Sequence, residues 1–456
     1  MNEFKFDMVP YTRGVGIELS PDEDKLFPHF IKWSEEAVPL IRPQSLDFVY
    51  YKVDKDSDID IKNLLNLIKQ GGHFNIVLPP SYPMSLIGAA LSEYRIQERT
   101  QYDEVVYYSF KRPGGADYGR IPSGEKTCAV MRYGGIGDMM MSSCVFPELK
   151  KQGYHVTLFT HDNSYETVKL DPNIDRFILQ TSGQVPAYDF RNFCFHTSMK
   201  YDKFINLSES IEGTLLALPD RVSYYWPKAI RHEQMNKCYY SMTAKISEVP
   251  LNLCGKFYAS QKEKVLAKKR YDKMSGPVIL WVMSGSALHK MWPWQDQAIA
   301  RVLLQHPTAT IVLMGDAASS LLEQGWQNEP RVKCKGGKWS IRDTMAFCSV
   351  VDLIVTPETG VALSVQFQDV PKILLHSHSS VDNYAYAWKN CISLTPVDCE
   401  CYPCHQMHYS FEHCSIVEIS NEDGPETAEF AECQVNISAD AVSAAINKVL
   451  NEKTTT

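Results

Sequence analysis

No stretch of this 456-residue chain reaches the roughly 18 to 20 uninterrupted apolar residues that a membrane-spanning helix needs. The segment Met1 to Arg13 has no apolar core of the kind a secretory signal requires. Together these absences predict a cytoplasmic protein without a transmembrane segment. Positive charge is also in short supply: Lys and Arg number 46 against 54 Asp and Glu, a formal net charge of −8. Chains that bind nucleic acid through phosphate contacts are more often basic, so the balance speaks against DNA as a general partner while leaving room for a local basic groove. There is no internal repeat, and no low-complexity tract beyond the Lys453 to Thr456 tail. What is present, 44% hydrophobic and 22% charged residues, excludes wholesale disorder.

The length suggests about three domains. A run rich in Gly, Pro and charge, Lys111 to Lys126 (KRPGGADYGRIPSGEK), reads as a linker or long loop. It divides the chain into a first region 1–111, a linker 112–126, a second domain 127–265 and a third 266–456. Region 1–111 predicts strands at Gly14 to Leu19 and Asp47 to Lys52, a helix from Ile59 to Lys69 ended by Gly71-Gly72, and a strand from His73 to Leu78. The second domain predicts a strand at Thr127 to Arg132, a helix from Met139 to Gln152 and a strand at His155 to Thr160. The third repeats the rhythm: strands at Val278 to Met283, Thr310 to Met314, Leu353 to Val355 and Lys372 to Leu375, with helices at Trp294 to Leu304 and Ile341 to Cys348. Alternating strands and helices predict an α/β fold with two doubly wound, mostly parallel sheets. Ligands of such sheets sit at the carboxyl ends of the strands.

Three glycine-containing motifs fall at those ends. Gly134-Gly135-Ile136-Gly137-Asp138 follows a strand and opens a helix. It is neither a dinucleotide fingerprint, lacking the G-x-G-x-x-G spacing, nor a Walker loop, lacking Gly-Lys-Ser/Thr. Glycines there let a ligand approach the backbone, and Asp138 either projects toward that ligand or caps the helix. Ser284-Gly285-Ser286, with Lys290, Trp292 and Pro293 behind it, offers hydroxyls, backbone N–H groups and a cation for a phosphate, or else is a solvated loop. Gly315 ends the neighbouring strand. Glu358-Thr359-Gly360 puts an acid, a hydroxyl and a glycine before an apolar helix, as a phosphate site or a capping loop.

In this order the motifs resemble glycosyltransferase family 9, the ADP-heptose:lipopolysaccharide heptosyltransferases, over about residues 127–430. Gly153 to Thr160 and Asp171-Pro172-Asn173-Ile174-Asp175 match further patterns of that family. The resemblance implies the GT-B architecture, two facing Rossmann-like domains, preceded here by the small α/β region. It implies an inverting transfer from a nucleotide-diphosphate sugar without a catalytic metal or other cofactor. Asp138 would be the general base and Lys290 the donor-phosphate contact. Gly135, Gly137, Ser284, Gly285, Ser286, Gly315, Glu358, Thr359 and Gly360 would line the donor site. Two departures stand out: Glu358 replaces the family's Asp, and Leu363 occupies a position where the family commonly has His. The implied acceptor is a lipopolysaccharide-type saccharide. A hydroxymethylated base in DNA, as in bacteriophage enzymes, is the alternative acceptor, and a sugar-nucleotide-binding scaffold without activity is the non-enzymatic one.

Two segments lie outside that resemblance or at its edge. Thirteen cysteines in a chain of this kind are expected as thiols, yet five crowd into the Cys-rich segment 399–433. Cys399, Cys401, Cys404 and Cys414 have spacing suited to a structural zinc, with buried thiols or a disulfide as the alternatives. Ser45 through Pro79 resembles the back half of an S-adenosylmethionine-dependent methyltransferase. Its cofactor loop would fall at Gly14 to Glu18, but Ser20-Pro21-Asp22 stands where further glycines belong. Region 1–111 is therefore expected to be a truncated methyltransferase-like domain without activity, or an unrelated small α/β domain.

Overall fold

The computed structural model describes residues 8–22, 25–53, 61–82, 85–91, 93–102, 104–113, 124–180, 190–208, 211–420 and 427–454. Most of the expected linker, residues 114–123, lies outside them. The chain forms two compact units. The first comprises Met1–Met131, Lys150–Tyr165 and Asn173–Ile205, and the second comprises Arg132–Leu149, Glu166–Pro172 and Asn206–Thr456. These units cut across the expected segment 127–265.

The first unit contains two sheets. The larger has strands β1 (Gly16–Leu19), β2 (Ile31–Lys32), β3 (Leu46–Lys52), β4 (Ile68–Leu78), β5 (Arg95–Gln101) and β6 (Val106–Lys111), in the order β2-β1-β3-β4-β6-β5. The first four run parallel, and β6 and β5 form an antiparallel edge. Alternate residues serve opposite faces. Val49, Tyr51, Phe74 and Ile76 enter one core, while Phe48, Tyr50, Val77 and Tyr107 enter another. Both faces are covered, as a parallel sheet requires. Helix α1 (Ile61–Leu67) runs straight into β4. The expected helix is shorter because Ile68 pairs with Leu46 at the start of a strand that carries Gly71-Gly72 within it. Beyond the strand ends, Lys52 bonds both Asp22 carboxylate oxygens at 3.0 and 2.9 Å, and Lys32 donates to Ser20 Oγ at 3.2 Å.

The smaller sheet contains β7 (Lys126–Met131), β8 (Tyr154–Thr160), β9 (Arg176–Leu179) and β10 (Lys203–Asn206), in the order β10-β7-β8-β9. β7, β8 and β9 run parallel, and every residue of β8 is buried.

In the second unit, the helix expected at Met139 to Gln152 is two short ones, α2 (Ile136–Ser142) and α3 (Phe146–Lys151), joined by a tight turn at Ser143–Val145. Pro147 lacks the N–H that a continuous helix would use, so the break falls just before it. The main sheet comprises β11 (Val278–Val282), β12 (Thr310–Met314), β13 (Val332–Cys334), β14 (Leu353–Pro357), β15 (Lys372–Leu375) and β16 (Cys391–Leu394). The order is β13-β12-β11-β14-β15-β16, and every neighbouring pair is parallel. The runs VILWV, TIVLM and LIVTP are wholly buried, and Ile299, Val302, Val442 and Ile446 from two helices pack into the same core. Strand order reverses between β11 and β14, which places a binding crevice at their carboxyl ends. A separate antiparallel hairpin, β17 (Ile416–Ser420) with β18 (Thr427–Ala431), follows the Cys-rich stretch. No helix among the described residues is long and apolar enough to cross a membrane.

Candidate functional site

The carboxyl ends of β11, β12 and β14 carry Ser284 to Ser286, Gly315 and Glu358 to Gly360. The motifs separated in sequence thus meet at the reversal point of one sheet. Lys290 is 6% exposed, and no side chain or carbonyl among the described residues accepts a hydrogen bond from its ammonium. Burial pulls its pKa down, and the nearby charges of Glu358 and Asp138 partly restore it. A lysine whose stem is buried, whose ammonium has no protein acceptor among the described residues and which lies within electrostatic reach of two acids is poised for an anionic ligand. Gly285 makes its position possible: a Cβ there would lie 2.5 Å from Lys290 Cδ. Ser284 Oγ lies 2.7 Å from Ser319 Oγ, which donates to Asp316. Gly315 leaves room for that serine, since a Cβ there would lie 2.4 Å from Ser319 Cβ. Ser286 is exposed on the loop.

Asp138 sits in the first turn of α2 with a third of its side chain, 33%, exposed. Its two carboxylate oxygens have different partners. Its Oδ2 accepts from the Gly135 N–H at 2.9 Å, which is a cap. Its Oδ1 lies 2.8 Å from the guanidinium of Arg132 and accepts from the Tyr239 hydroxyl at 3.4 Å. Arg132 is buried and also donates to Tyr239 Oη at 2.5 Å and to the Leu207 carbonyl at 2.6 Å. Burial works against the Arg132 charge, but Tyr239 and Asp138 outweigh it, and its pKa rises. Burial also raises that of Tyr239, which keeps its proton to donate. Gly137 and Gly360 bring their two loops into backbone contact. A Cβ on Gly360 would lie 2.7 Å from Gly137 N, and one on Gly137 would meet Leu363 Cδ1 at 3.3 Å.

Glu358 has a different place from the one expected. Its carboxylate is fully buried and saturated from within the protein. The hydroxyls of Ser377 and Ser379 donate to it, as do the N–H groups of His378 at 3.1 Å and Ser379 at 3.2 Å. His378 Nδ1 lies 2.7 Å away and His376 Nδ1 3.2 Å. Burial alone would raise the Glu358 pKa, but the two histidines outweigh it and hold it well below the usual carboxylate range. This side chain orders the loop after β15 instead of facing a ligand. Thr359 keeps its carbonyl engaged by the Tyr384 hydroxyl at 3.2 Å.

Around the cysteines, Cys401, Cys404 and Cys414 line a cavity of about 470 Å³ together with Cys433, which the sequence spacing did not single out. Cys399 lies beside Cys401, with 3.5 Å between the sulfurs, and near Glu432. Burial pushes the Cys404 and Cys414 thiols up to about 12. Arg132, Tyr239, His376 and His378 were missed by the sequence reading, and Cys433 was counted in the Cys-rich segment but not among its candidate ligands. Only Arg132 left a local signal, as a charge closing the apolar run Thr127 to Met131.

No family model and no curated protein matches the sequence. Among solved structures, the chain is similar to a glycosyl transferase family 9 protein from Veillonella parvula, with 16% identity, 73% of this chain and 100% of that chain covered, and a TM-score of 0.52. It is also similar to ADP-heptose lipopolysaccharide heptosyltransferase II of E. coli (15% identity, 72% and 99% covered, TM-score 0.47). The E. coli heptosyltransferase WaaC in complex with ADP follows, with 12% identity, 71% and 99% covered, and a TM-score of 0.41. At these identities the likeness is one of fold. The α/β architecture with its parallel sheets is that of the family 9 glycosyltransferase structure.

Proposed function

We propose that the protein is an inverting glycosyltransferase that moves a sugar from a nucleotide-diphosphate sugar to an acceptor hydroxyl without a catalytic metal. The observation that carries this reading is the largely buried Lys290 side chain at the strand-order reversal, its ammonium without a protein acceptor among the described residues and within electrostatic reach of Asp138. As the bond between the anomeric carbon and the diphosphate oxygen breaks, negative charge grows on the leaving group. Lys290 and the N–H groups of the Ser284 to Ser286 loop neutralise it in a water-poor crevice. The acceptor oxygen attacks the opposite face of the anomeric carbon, and its proton passes to Asp138. Arg132, Tyr239 and the Gly135 N–H fix the Asp138 carboxylate from three sides, so it meets the hydroxyl without reorganising.

The acceptor in this proposal is a lipopolysaccharide-type saccharide, as the sequence resemblance implies. Leu363, apolar and packed against Gly137, stands where the family has a histidine, so the sugar and base of the donor are set by contacts peculiar to this chain. We infer further that region 1–111 is a methyltransferase-like domain that no longer holds its cofactor. The Lys52–Asp22 ion pair and the Lys32–Ser20 bond at the strand ends support that reading.

The test is a panel of nucleotide sugars assayed for thermal stabilisation of the protein and for nucleoside-diphosphate release with saccharide acceptors. Stabilisation with release supports the transferase. Stabilisation without release, for any acceptor, favours the inactive scaffold. Release only with duplex DNA bearing hydroxymethylated bases assigns the acceptor to DNA. Failure of every nucleotide sugar to bind overturns the reading.

A further inference from the structure

The Cys-rich segment supplies none of the groups assigned to the transfer above. The hairpin β17–β18 has little core of its own: β17 alternates exposed and half-buried residues, and β18 is exposed over its first three. A two-stranded hairpin of this kind is marginal in water without further support. Its register pairs Ile416 with Ala431 at the open end. Cys414 precedes that pair by two residues, and Cys433 follows it by two inside the short helix Glu432–Val435, so the hairpin lies between the two cysteines in the chain. Cys401 and Cys404 form a Cys-x-x-Cys pair, and all four cysteines line one cavity. Both cysteines of the pair are free thiols.

We propose that Cys401, Cys404, Cys414 and Cys433 bind one tetrahedral transition-metal ion of the zinc or ferrous/ferric iron class, which staples the hairpin to the Cys-x-x-Cys segment within the second unit. Four cysteines around one cavity, two of them a Cys-x-x-Cys pair, supply the four thiolates that a closed structural site uses once their side chains turn inward. Four protein ligands leave no open position, so the ion has no part in group transfer. On binding, each thiol releases its proton to solvent and the sulfur lone pair forms the bond to the metal, with no change in oxidation state. Cys399 and Glu432 form a competing group with Cys401, their ligand atoms all within 4.8 Å of one another. That set has only three members, and it leaves unexplained the three buried or half-buried thiols of Cys404, Cys414 and Cys433 around the same cavity. The Cys-x-x-Cys segment itself is tied into the fold. Ala217 and His405 share a backbone bond of 2.8 Å, the Met407 N–H donates to the Ala217 carbonyl at 2.9 Å, and His408 carbonyl lies 3.0 Å from His289 Nδ1, next to Lys290. The ion therefore fixes a wall one residue away from the donor-site lysine.

The experiment is elemental analysis of the full-length protein purified under reducing conditions, alongside its Cys399→Ser, Cys414→Ser and Cys433→Ser variants. We expect about one zinc or iron per chain in the parent and in Cys399→Ser, and loss to below about a tenth in the other two. Should those two variants fail to fold, the intact protein loaded with cobalt(II) decides the matter. A tetrahedral spectrum with intense sulfur-to-metal charge transfer counts four thiolates, whereas a weak band counts two. The proposal is overturned by a parent that holds no metal and takes up no cobalt. It is equally overturned by metal lost in Cys399→Ser but kept in Cys433→Ser, or by an intact mass two hydrogens lighter that maps to a Cys399–Cys401 disulfide.

Discussion

Gly285→Ala probes the donor site without removing a charged group. The added methyl would lie 2.5 Å from Lys290 Cδ, 3.3 Å from its Cβ and 3.5 Å from its Cγ. Carbon atoms rest at about 3.5–4.0 Å, so the lysine stem must withdraw by about 1 Å. Moving an ammonium from about 3 to about 4 Å from a phosphoryl oxygen, at an effective dielectric constant near 20, costs about 1.4 kcal/mol. That corresponds to roughly a tenfold weaker donor. Lys290→Ala removes the charge altogether and should weaken the donor on the order of a hundredfold, in line with a lost charge-assisted hydrogen bond. The assay is calorimetric titration of a nucleoside diphosphate into the parent, the two single variants and the double variant. Because the three atoms nearest the added methyl all belong to Lys290, and alanine keeps the backbone N–H, adding Gly285→Ala to Lys290→Ala should change nothing further. A tenfold loss in the double variant beyond Lys290→Ala, or an unaltered affinity in Gly285→Ala, would refute the reasoning.

Three other predictions rest on separate groups. Asp138→Asn keeps the size of the side chain but removes the proton acceptor, so kcat should fall by about 10²–10⁴ with little change in donor affinity; full turnover would exclude Asp138 as base. Glu358→Gln leaves the buried His376 and His378 beside a neutral amide that cannot accept from four donors, and melting should drop by an amount corresponding to about 3 kcal/mol. An unchanged melting temperature would show that the Glu358 network does not hold the loop. Lys372 is buried, donates to the carbonyls of Val365, Gln368 and Val370, and is pulled down to about 8 by burial. Its unfolded form keeps a proton up to the ordinary 10.5. Between those values the unfolded state binds more protons, so stability relative to Lys372→Met should rise with pH, on the order of 2–3 kcal/mol across the window. A flat difference in urea midpoints over that range would contradict it.

The sheet of the second unit was readable because buried parallel strands are locally marked: VILWV, TIVLM and LIVTP are continuous apolar runs followed by glycine or polar loops. The site motifs were readable for the same reason, since the carboxyl end of a strand is a place in the sequence as well as in space. What was not readable depends on pairs far apart in the chain. Tyr239 reaches Arg132 across 107 residues, and Cys433 returns to Cys414 only because a hairpin folds between them. The direction of Glu358 is of this kind too. Its motif predicts a ligand contact, but the polar loop after β15, Ser377-His378-Ser379, claims the carboxylate first. The early start of β4 was set by pairing of Ile68 with Leu46, a tertiary contact that overrode the local glycine signal.

The central claim is that Lys290 is the charge that holds a sugar donor by its diphosphate. The most direct measurement is equilibrium binding of nucleoside diphosphates to the parent protein and to Lys290→Ala, in buffer without added magnesium. The account predicts saturable binding at one site in the parent that Lys290→Ala weakens on the order of a hundredfold. Binding that requires magnesium and is indifferent to Lys290→Ala would contradict it.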